Sequence, residues 1–343
     1  MMVERSSDGG QRFVSRLRTV YFGTPDYAVP TLEALAGDPR FAVELVVTQP
    51  DRSAGRGQHV NESAVKRSAL EVGVPVYQPV SLRTAGSRLP LESIGADLFV
   101  VVAYGLIFGK ATLALPRLGC LNLHASLLPK FRGASPISAA ILEGDDHTGV
   151  SLMQMDSGLD TGPVIQSSSV PVHDEATTGS LSAQLAAVAA TMAIDAILEF
   201  ASGVRQPAPQ PSLGASLTRP LTKADGWIEW PAAAEVLERR VRAMSPWPKA
   251  WTTIGPHLVQ IHAAHVVTGD KGAKPGQVVH ARRELVVACG EGALFLESVQ
   301  PAGGRPMSGG AFLSGRGIKA GDLFGIHGAP VRGLPLVVPI SES

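Results

Sequence analysis

Apolar residues in the first two hundred positions come in short blocks, each followed by a stretch with helical spacing. Thr19-Val-Tyr-Phe22 reads as a buried strand and Pro30 to Gly37 as the helix behind it. Phe41 to Thr48 is a second strand and Glu62 to Val72 a second helix. Asp97-Leu-Phe-Val-Val-Val-Ala103 is almost wholly apolar, the pattern of a central parallel strand covered on both faces. Gly119 to His124 is a shorter strand, and Pro136 to Leu142 a helix with proline in its first turn. Val150 to Met155 and Val164 to Val172 are strands around a glycine-rich loop, and Thr177 to Phe200 is a long, alanine-rich helix. Strands alternating with helices predict a doubly wound α/β domain over residues 18–203.

The texture changes near residue 203. Val204-Arg-Gln-Pro-Ala-Pro-Gln-Pro-Ser-Leu-Gly214 cannot hold a helix or a central strand, so residues 204–225 read as a linker. A helix is expected from about Ala233 to Met244. Short strand-like runs follow at Leu258 to Val267, Gln277 to His280, Leu285 to Ala288 and Leu294 to Val299, divided by Gly and Pro. Strands this short and this closely spaced predict a small all-β barrel over residues 226–330, with 331–343 as a tail. Residues 1–17 are polar and lack the apolar core of a secretory signal, so they are expected to be a disordered extension.

A chain of 343 residues is long enough for two cores. Its 30 basic and 30 acidic side chains cancel, which gives no gross preference for nucleic acid or membrane. Residues 1–206 carry 16 basic and 20 acidic side chains, residues 221–343 carry 13 and 10, so a polyanion would lean on the C-terminal part. Two cysteines, Cys120 and Cys289, are too few and too far apart for a disulfide framework, and point to a reducing compartment, the cytoplasm. No apolar run approaches the roughly 18 residues needed to span a bilayer, so no membrane association is expected.

The candidate chemistry sits at the end of the strand ending in His124. Asn122 and His124 are two apart, a spacing that points both side chains to one face of a strand. The Ser126-Leu-Leu-Pro129 turn then leaves the strand without starting a helix, because Pro129 restrains Leu128. Asp160, 36 residues after His124, lies in Gly158-Leu-Asp-Thr-Gly162. An amide, an imidazole and a carboxylate at an open strand end suit acyl transfer, and no metal ligands accompany them. Gly23-Thr-Pro-Asp-Tyr-Ala28 lacks the dinucleotide fingerprint, and Ala54-Gly-Arg-Gly57 lacks the Gly-Lys-Ser/Thr of a phosphate loop. Arg52 and Arg56 lie among glycines in residues 49–60, either an ordinary solvated loop or a mobile basic finger. His262 and His265 are three apart, which on a strand sends them to opposite faces and opposes a shared metal. Trp247 and Trp251 read as packing residues, and Arg239, Arg240 and Arg242 as a solvated helix face.

At these residues the sequence resembles the folate-dependent formyltransferases, whose signature is Asn-x-His-x-Ser-Leu-Leu-Pro followed by Asp in Leu-Asp-x-Gly-x. Asn122, His124, Ser126 to Pro129 and Leu159-Asp-Thr-Gly-Pro163 match it. Phe22-Gly-Thr-Pro-Asp26, Thr48-Gln-Pro-Asp-Arg52, Ala54-Gly-Arg-Gly57, Val101 to Leu106 and Met153-Gln-Met-Asp156 narrow the resemblance to the methionyl-tRNA formyltransferase family. Trp227-Ile-Glu-Trp230, Arg242-Ala-Met-Ser-Pro-Trp-Pro248 and Gln300-Pro-Ala-Gly303 agree with it, and the similarity covers residues 18 to 310. The resemblance implies a Rossmann-like formyltransferase domain followed by an OB-like barrel that binds tRNA. It also implies 10-formyltetrahydrofolate as formyl donor and initiator methionyl-tRNA as acceptor. Folate is expected against Ser126, Leu127, Leu128 and Pro129 and against Tyr104, Gly105 and Leu106, and the acceptor end of the tRNA at Arg56 and Arg52. Where the family carries further lysines this chain has Gln58 and His59, to which no role is assigned, nor is one assigned to the poorly matching segment from Gly309.

The mechanism that follows has Asn122 donating to an oxyanion, His124 moving protons and Asp160 positioning His124, with no metal, in a monomer. Two rival readings share the scaffold: a folate-dependent formyltransferase acting on a small amine, and a non-catalytic tRNA- or folate-binding protein.

Overall fold

The computed structural model describes residues 3–5, 11–13, 16–54, 59–270, 272–280, 284–331 and 333–340. The apolar blocks of the first domain assemble into one seven-stranded sheet. In chain order its part of the molecule runs β1 (Leu17–Gly23), α1 (Val29–Gly37), β2 (Phe41–Val47), α2 (Ala64–Glu71), β3 (Val76–Tyr77), α3 (Ala85–Ile94), β4 (Leu98–Val102) and β5 (Cys120–His124). There follow β6 (Arg132–Gly133), α4 (Pro136–Glu143), β7 (His147–Gln154), β8 (Val164–Pro171) and α5 (Thr178–Ala201). The sheet order is β8-β7-β5-β4-β1-β2-β3. The five strands from β5 to β3 are parallel, as a doubly wound fold requires. β7 and β8 turn back antiparallel, so the sheet is mixed. β8, at the sheet edge, mixes buried Ile165 and Val170 with exposed Ser167, Ser169 and Pro171.

Both faces of this sheet are covered. Tyr21, Val46, Val100 and Leu121 face α1 and α5, while Phe22, Val47, Phe99 and Val101 pack with Leu82, Leu91 and Phe108. The chain leaves β1 in one direction towards β2 and β3 and returns to the other side with β4 and β5. That reversal opens a crevice at the carboxyl ends of β1 and β4.

Three elements depart from the sequence pattern. The sequence pattern predicts no helix where α3 lies, and Pro90 inside it removes one helical hydrogen bond. Thr84 accepts from the Ser87 N–H at its start and Gly95 ends it in a left-handed conformation, while buried Leu91 holds it to the sheet. α5 is long and apolar enough to meet the length and composition of a membrane span, which the sequence reading credited to no segment. Its stripe of Leu181, Leu185, Ala189, Ala193 and Ile197 is buried in the sheet's core, as in a core helix. Near the amino terminus, where a disordered extension was expected, Val3–Arg5 pairs antiparallel with Gln11–Phe13.

The C-terminal part contains β9 (Ser216–Thr218), α6 (Ala234–Ala243), β10 (Ala250–Ile254), β11 (His257–Val267), β12 (Val278–His280), β13 (Val286–Ala288), β14 (Ala293–Pro301), α7 (Gly309–Arg316) and β15 (Val337–Pro339). The barrel sheet runs β10-β11-β14-β13-β12. Leu323 bridges to Gln277 beside β12 and Phe324 to Ile254 at the end of β10, so this segment joins the two sheet edges. The segment from Gly309, to which the sequence assigns no role within the barrel domain, fills its core: Phe312, Leu313, Ile318 and Phe324 are buried there.

The presumed linker and tail are also built in. β9 lies parallel to β6 and antiparallel to β15, making a small sheet that joins residues 216–218 and 337–339 to the first domain. Arg219 fixes it, donating to both carboxylate oxygens of Asp225 and to the Leu334 carbonyl. The arginines of α6 are bonded rather than simply solvated. Arg239 donates to the Leu142 carbonyl, Arg240 to that of Trp227, and Arg242 to that of Ala176 as well as to Glu238. Trp251 packs edge-on against Trp227 and donates to the Lys223 carbonyl, but Trp247 is 52% exposed, so the packing role holds for Trp251 alone. His262 contacts Gln300 and His265 contacts Glu297, each with a separate partner.

Asp225 offers a pH test of the small sheet's anchor. Burial pushes its carboxyl pKa up, but the bonds from Arg219 and Thr222 outweigh burial and hold it below the usual value. A carboxyl depressed on folding contributes stability that is present above its unfolded pKa, near 4, and lost as pH falls through the folded value. Asp225→Asn is expected to lower the unfolding free energy at pH 7 by about 1–3 kcal/mol. Its deficit against the wild type should shrink below about pH 4 in urea melts. A deficit that stays constant into acid would rule out the carboxylate charge as its source.

Candidate active site

β5 supplies two of the three expected groups on one face, as the period of a strand dictates. In the ladder with β7, Asn122 lies opposite Met153 and His124 opposite Ser151. Val101 of β4 is the parallel partner of Asn122, so the carboxyl ends of β4 and β5 are neighbours. The third group, Asp160, is carried by the loop between β7 and β8. Asp156 organises that loop: one of its oxygens accepts from the Gly158 N–H at 2.9 Å and from the Thr161 hydroxyl at 2.7 Å. Asp160 itself takes a left-handed backbone conformation, φ 53°, which aims its carboxylate back at β5.

The three side chains meet. Asn122 Nδ2 donates to Asp160 Oδ1 at 3.2 Å, and His124 Nδ1 is 3.6 Å from Asp160 Oδ2. Oδ2 also accepts from the backbone N–H of Gly133, at 2.8 Å. His124 is 6% exposed, and its Nε2 lies 2.9 Å from the Phe131 carbonyl. A carbonyl can only accept, so Nε2 carries a proton towards it and Nδ1 is the nitrogen that faces Asp160. An amide has two N–H groups; Asp160 takes one of those on Asn122.

The segment 129–135 thus holds both His124 and Asp160, and the linker holds that segment. Ser216 Oγ accepts from the Phe131 N–H, Thr218 Oγ1 accepts from the Ser135 N–H and donates to the Arg132 carbonyl. Gly133 has φ 100°, and a Cβ there would stand 2.2 Å from the Thr218 carbonyl oxygen. Only glycine lets β6 lie this close to β9 with its N–H on Asp160. Sequence reasoning missed Gly133, Phe131, Ser216 and Thr218. A two-residue strand carries no periodicity by which to find them.

The expected folate-contact residues divide. Leu127, Leu128 and Pro129 are partly exposed in the turn, and Leu106 is partly exposed at the end of β4. Ser126 is buried with its hydroxyl donating to the Lys130 carbonyl, so its side chain closes the turn and is not presented to a ligand. Ser151 braces the same turn, donating to the Ser126 carbonyl and accepting from the Leu128 N–H. Tyr104 also points inward, its ring edge-on to Phe22 and Phe108, and burial pushes its phenol pKa up. What Tyr104 offers at the strand end is its carbonyl, which accepts from Thr24 Oγ1 and Gln49 Nε2. Gly105 is exposed at φ 84°, and its missing side chain leaves room for the Gln49 amide.

The basic loop rises as a hairpin, Arg52–Ala54 paired with His59–Asn61, from the same carboxyl edge. Its foot is fixed by Asp51, which accepts from Lys66 and Gln78. Arg56 and Gln58, and the side chains of Arg52 and His59, lie outside the described residues. Among the described residues no cluster of three His, Cys, Asp or Glu side chains is placed to hold a metal ion.

The Formyl transferase family profile matches residues 17–197, and the Formyl transferase, C-terminal domain profile matches residues 220–317. A methionyl-tRNA formyltransferase of Thiobacillus denitrificans is 45% identical over 311 residues, covering 90% of this chain and 100% of that protein. The chain belongs to the methionyl-tRNA formyltransferase family. A second member, from Burkholderia multivorans, is 43% identical over 91% of this chain and 98% of its own. Among solved structures, the N-formyltransferase of Helicobacter canadensis with folinic acid and dTDP-3-aminofucose gives a TM-score of 0.61 at 16% identity, over 82% of this chain and 99% of that one. HypX of Aquifex aeolicus with tetrahydrofolic acid gives 0.58 at 16% identity, over 89% of this chain and 49% of that one. At such identities these two likenesses speak for the fold. The Rossmann-like domain with a β-rich second domain is that of the formyltransferases.

Gly133→Ala tests the contact that aims Asp160. A left-handed backbone costs a residue with a Cβ roughly 1–2 kcal/mol, and the collision with Thr218 adds to it. The variant is expected to melt earlier and to lose formyl-transfer turnover by about a hundredfold, as a misplacement near 1 Å can. Wild-type turnover in Gly133→Ala would show that this N–H does not matter to the carboxylate.

Proposed function

We propose that the protein transfers the formyl group of 10-formyltetrahydrofolate to the α-amino group of initiator methionyl-tRNA, forming N-formylmethionyl-tRNA for translation initiation. The observation that carries this reading is the convergence of Asn122, His124 and Asp160 at the carboxyl edge of β5, within a chain of this family. The half-buried Leu106, Leu127 and Leu128 and the exposed Ile107 provide apolar surface suited to the flat ring of a folate. The protein is expected to act in the cytoplasm as a monomer, since one acceptor end needs one loop and one site.

An α-amino group titrates near 7.7–8.0, and esterification of the carboxyl lowers that further, so the amine attacks in its neutral form without a strong base. Attack makes a tetrahedral carbon bearing an oxyanion and an ammonium. Asn122 offers its second N–H to the oxyanion, a contribution of about 2.7–4 kcal/mol for a donor of this kind. His124 takes the ammonium proton at Nδ1 and returns it to the departing folate nitrogen, a role worth roughly 10²–10⁴-fold. Asp160 stabilises the imidazolium that forms between these two transfers. The carbon–nitrogen bond to folate then breaks, and the proton count closes without an external base.

Arg56 and Arg52 are proposed to meet the acceptor end of the tRNA. Binding of the tRNA should then weaken with salt, with a log–log slope of about −0.7 to −0.9 per phosphate contact. Arg56→Ala should raise the KM for tRNA far more than that for folate. A salt-independent affinity would contradict the basic finger.

The deciding assay supplies formyl-folate with methionyl-tRNA or with small amines, including a nucleotide-linked amino sugar, and asks which acceptor gains the formyl group. Methionyl-tRNA is the expected acceptor; formylation of the small amines alone would overturn the proposal. His124→Ala and Asp160→Asn should each lower turnover by roughly 10²–10⁴-fold while formyl-folate still binds. Near-wild-type turnover in either removes that residue from the mechanism.

A further inference from the structure

Gln210 lies in the linker stretch 204–225, between the two segments matched by the family profiles. Its side chain does not point to solvent. Nε2 donates to the carbonyl of Asp160 at 2.8 Å and to that of Gly162 at 2.7 Å. Oε1 accepts from Arg132 Nε at 3.1 Å and Nη2 at 2.8 Å. The amide orientation is dictated by its surroundings, because two carbonyls demand donors and a guanidinium demands an acceptor.

We propose that Gln210 is a positioning residue for formyl transfer, acting by fixing the backbone on which the Asp160 carboxylate is mounted. This rests on the catalytic part given to Asp160 above. Asp160 sits at φ 53°, a conformation that a residue with a Cβ adopts at a cost unless its surroundings hold it. Gln210 grips that turn on both sides, at 160 and at 162. Through Arg132 it also grips β6, and the next residue, Gly133, supplies the N–H that binds Asp160 Oδ2. One amide thus ties together the two backbone segments whose relative placement decides where the carboxylate points. An adjacent bridge, Val164 with Ala208, and the β9 ladder on the far side hold Gln210 itself in place.

The test is a double-mutant cycle on the full-length protein, read as kcat and KM for both substrates. Gln210 is only partly buried, and Gln210→Ala is expected to fold. It should lower kcat by between about tenfold and a hundredfold, with both KM values within about twofold of the wild type. Gln210→Glu keeps a partner for Arg132 but cannot donate to the two carbonyls, so it should fall as far. In an Asp160→Asn background, Gln210→Ala should have no further effect, because residues acting through one group are not additive. Wild-type kcat in Gln210→Ala would overturn the proposal. So would a loss of equal size in the Asp160→Asn background, since Gln210 would then act by another route. Full activity of Asp160→Asn alone would instead remove Asp160 from the mechanism, a separate failure from that of Gln210.

Discussion

A carboxylate largely withdrawn from water must be given partners, and the partners of Asp160 dictate much of the chain around it. One oxygen is met by the Asn122 amide from β5 and the other by the Gly133 N–H from β6. His124 stands beside the second oxygen, its far nitrogen on the Phe131 carbonyl. None of these groups belongs to the same loop as the carboxylate. The sheet must therefore bring β5 and β7 into register, and something outside the sheet must bring residues 131–133 across.

That something is the connection between the domains. Ser216 and Thr218 bind the 131–135 segment through side chains as well as through the ladder, and β15 covers β9 on its other side. Residues 204–225 therefore do two jobs: they carry the chain towards the barrel, and they brace the site. Meanwhile Arg239 and Arg242 of α6 donate to the carbonyls at 142 and 176, which ties the barrel's helix to the first domain. Movement of the barrel against the α/β domain would be felt in the same small sheet that orients Gly133.

Much of this was legible in the sequence where local pattern is the cause. Alternation placed Asn122 and His124 on one face, and the apolar run at 98–102 could only be a central strand. The glycines around Asp160 marked a tight loop. What could not be read depends on pairing between distant segments. β6 is two residues long and β9 three, and neither shows a period. Gln210 stands among prolines, where composition speaks for a linker, and its four hydrogen bonds come from residues 48 to 78 positions away. Ser126 and Tyr104 sit within matching motifs, yet burial reserves their side chains for the scaffold. A motif names positions; whether a side chain faces ligand or core is settled by the neighbouring strands.

β15 is the last of the described strands in chain order, yet it belongs to the sheet beside the Asp160 loop. During synthesis domains fold broadly from the amino terminus, so the seven-stranded sheet can form long before β15 leaves the ribosome. A nascent chain at that stage would have Asn122, His124 and Asp160 near one another without the outer strand that steadies their support. Full bracing of the site would in this way await translation of the barrel and of the strand beyond it, so that an enzyme serving initiation would be steadied only after a second domain had been made.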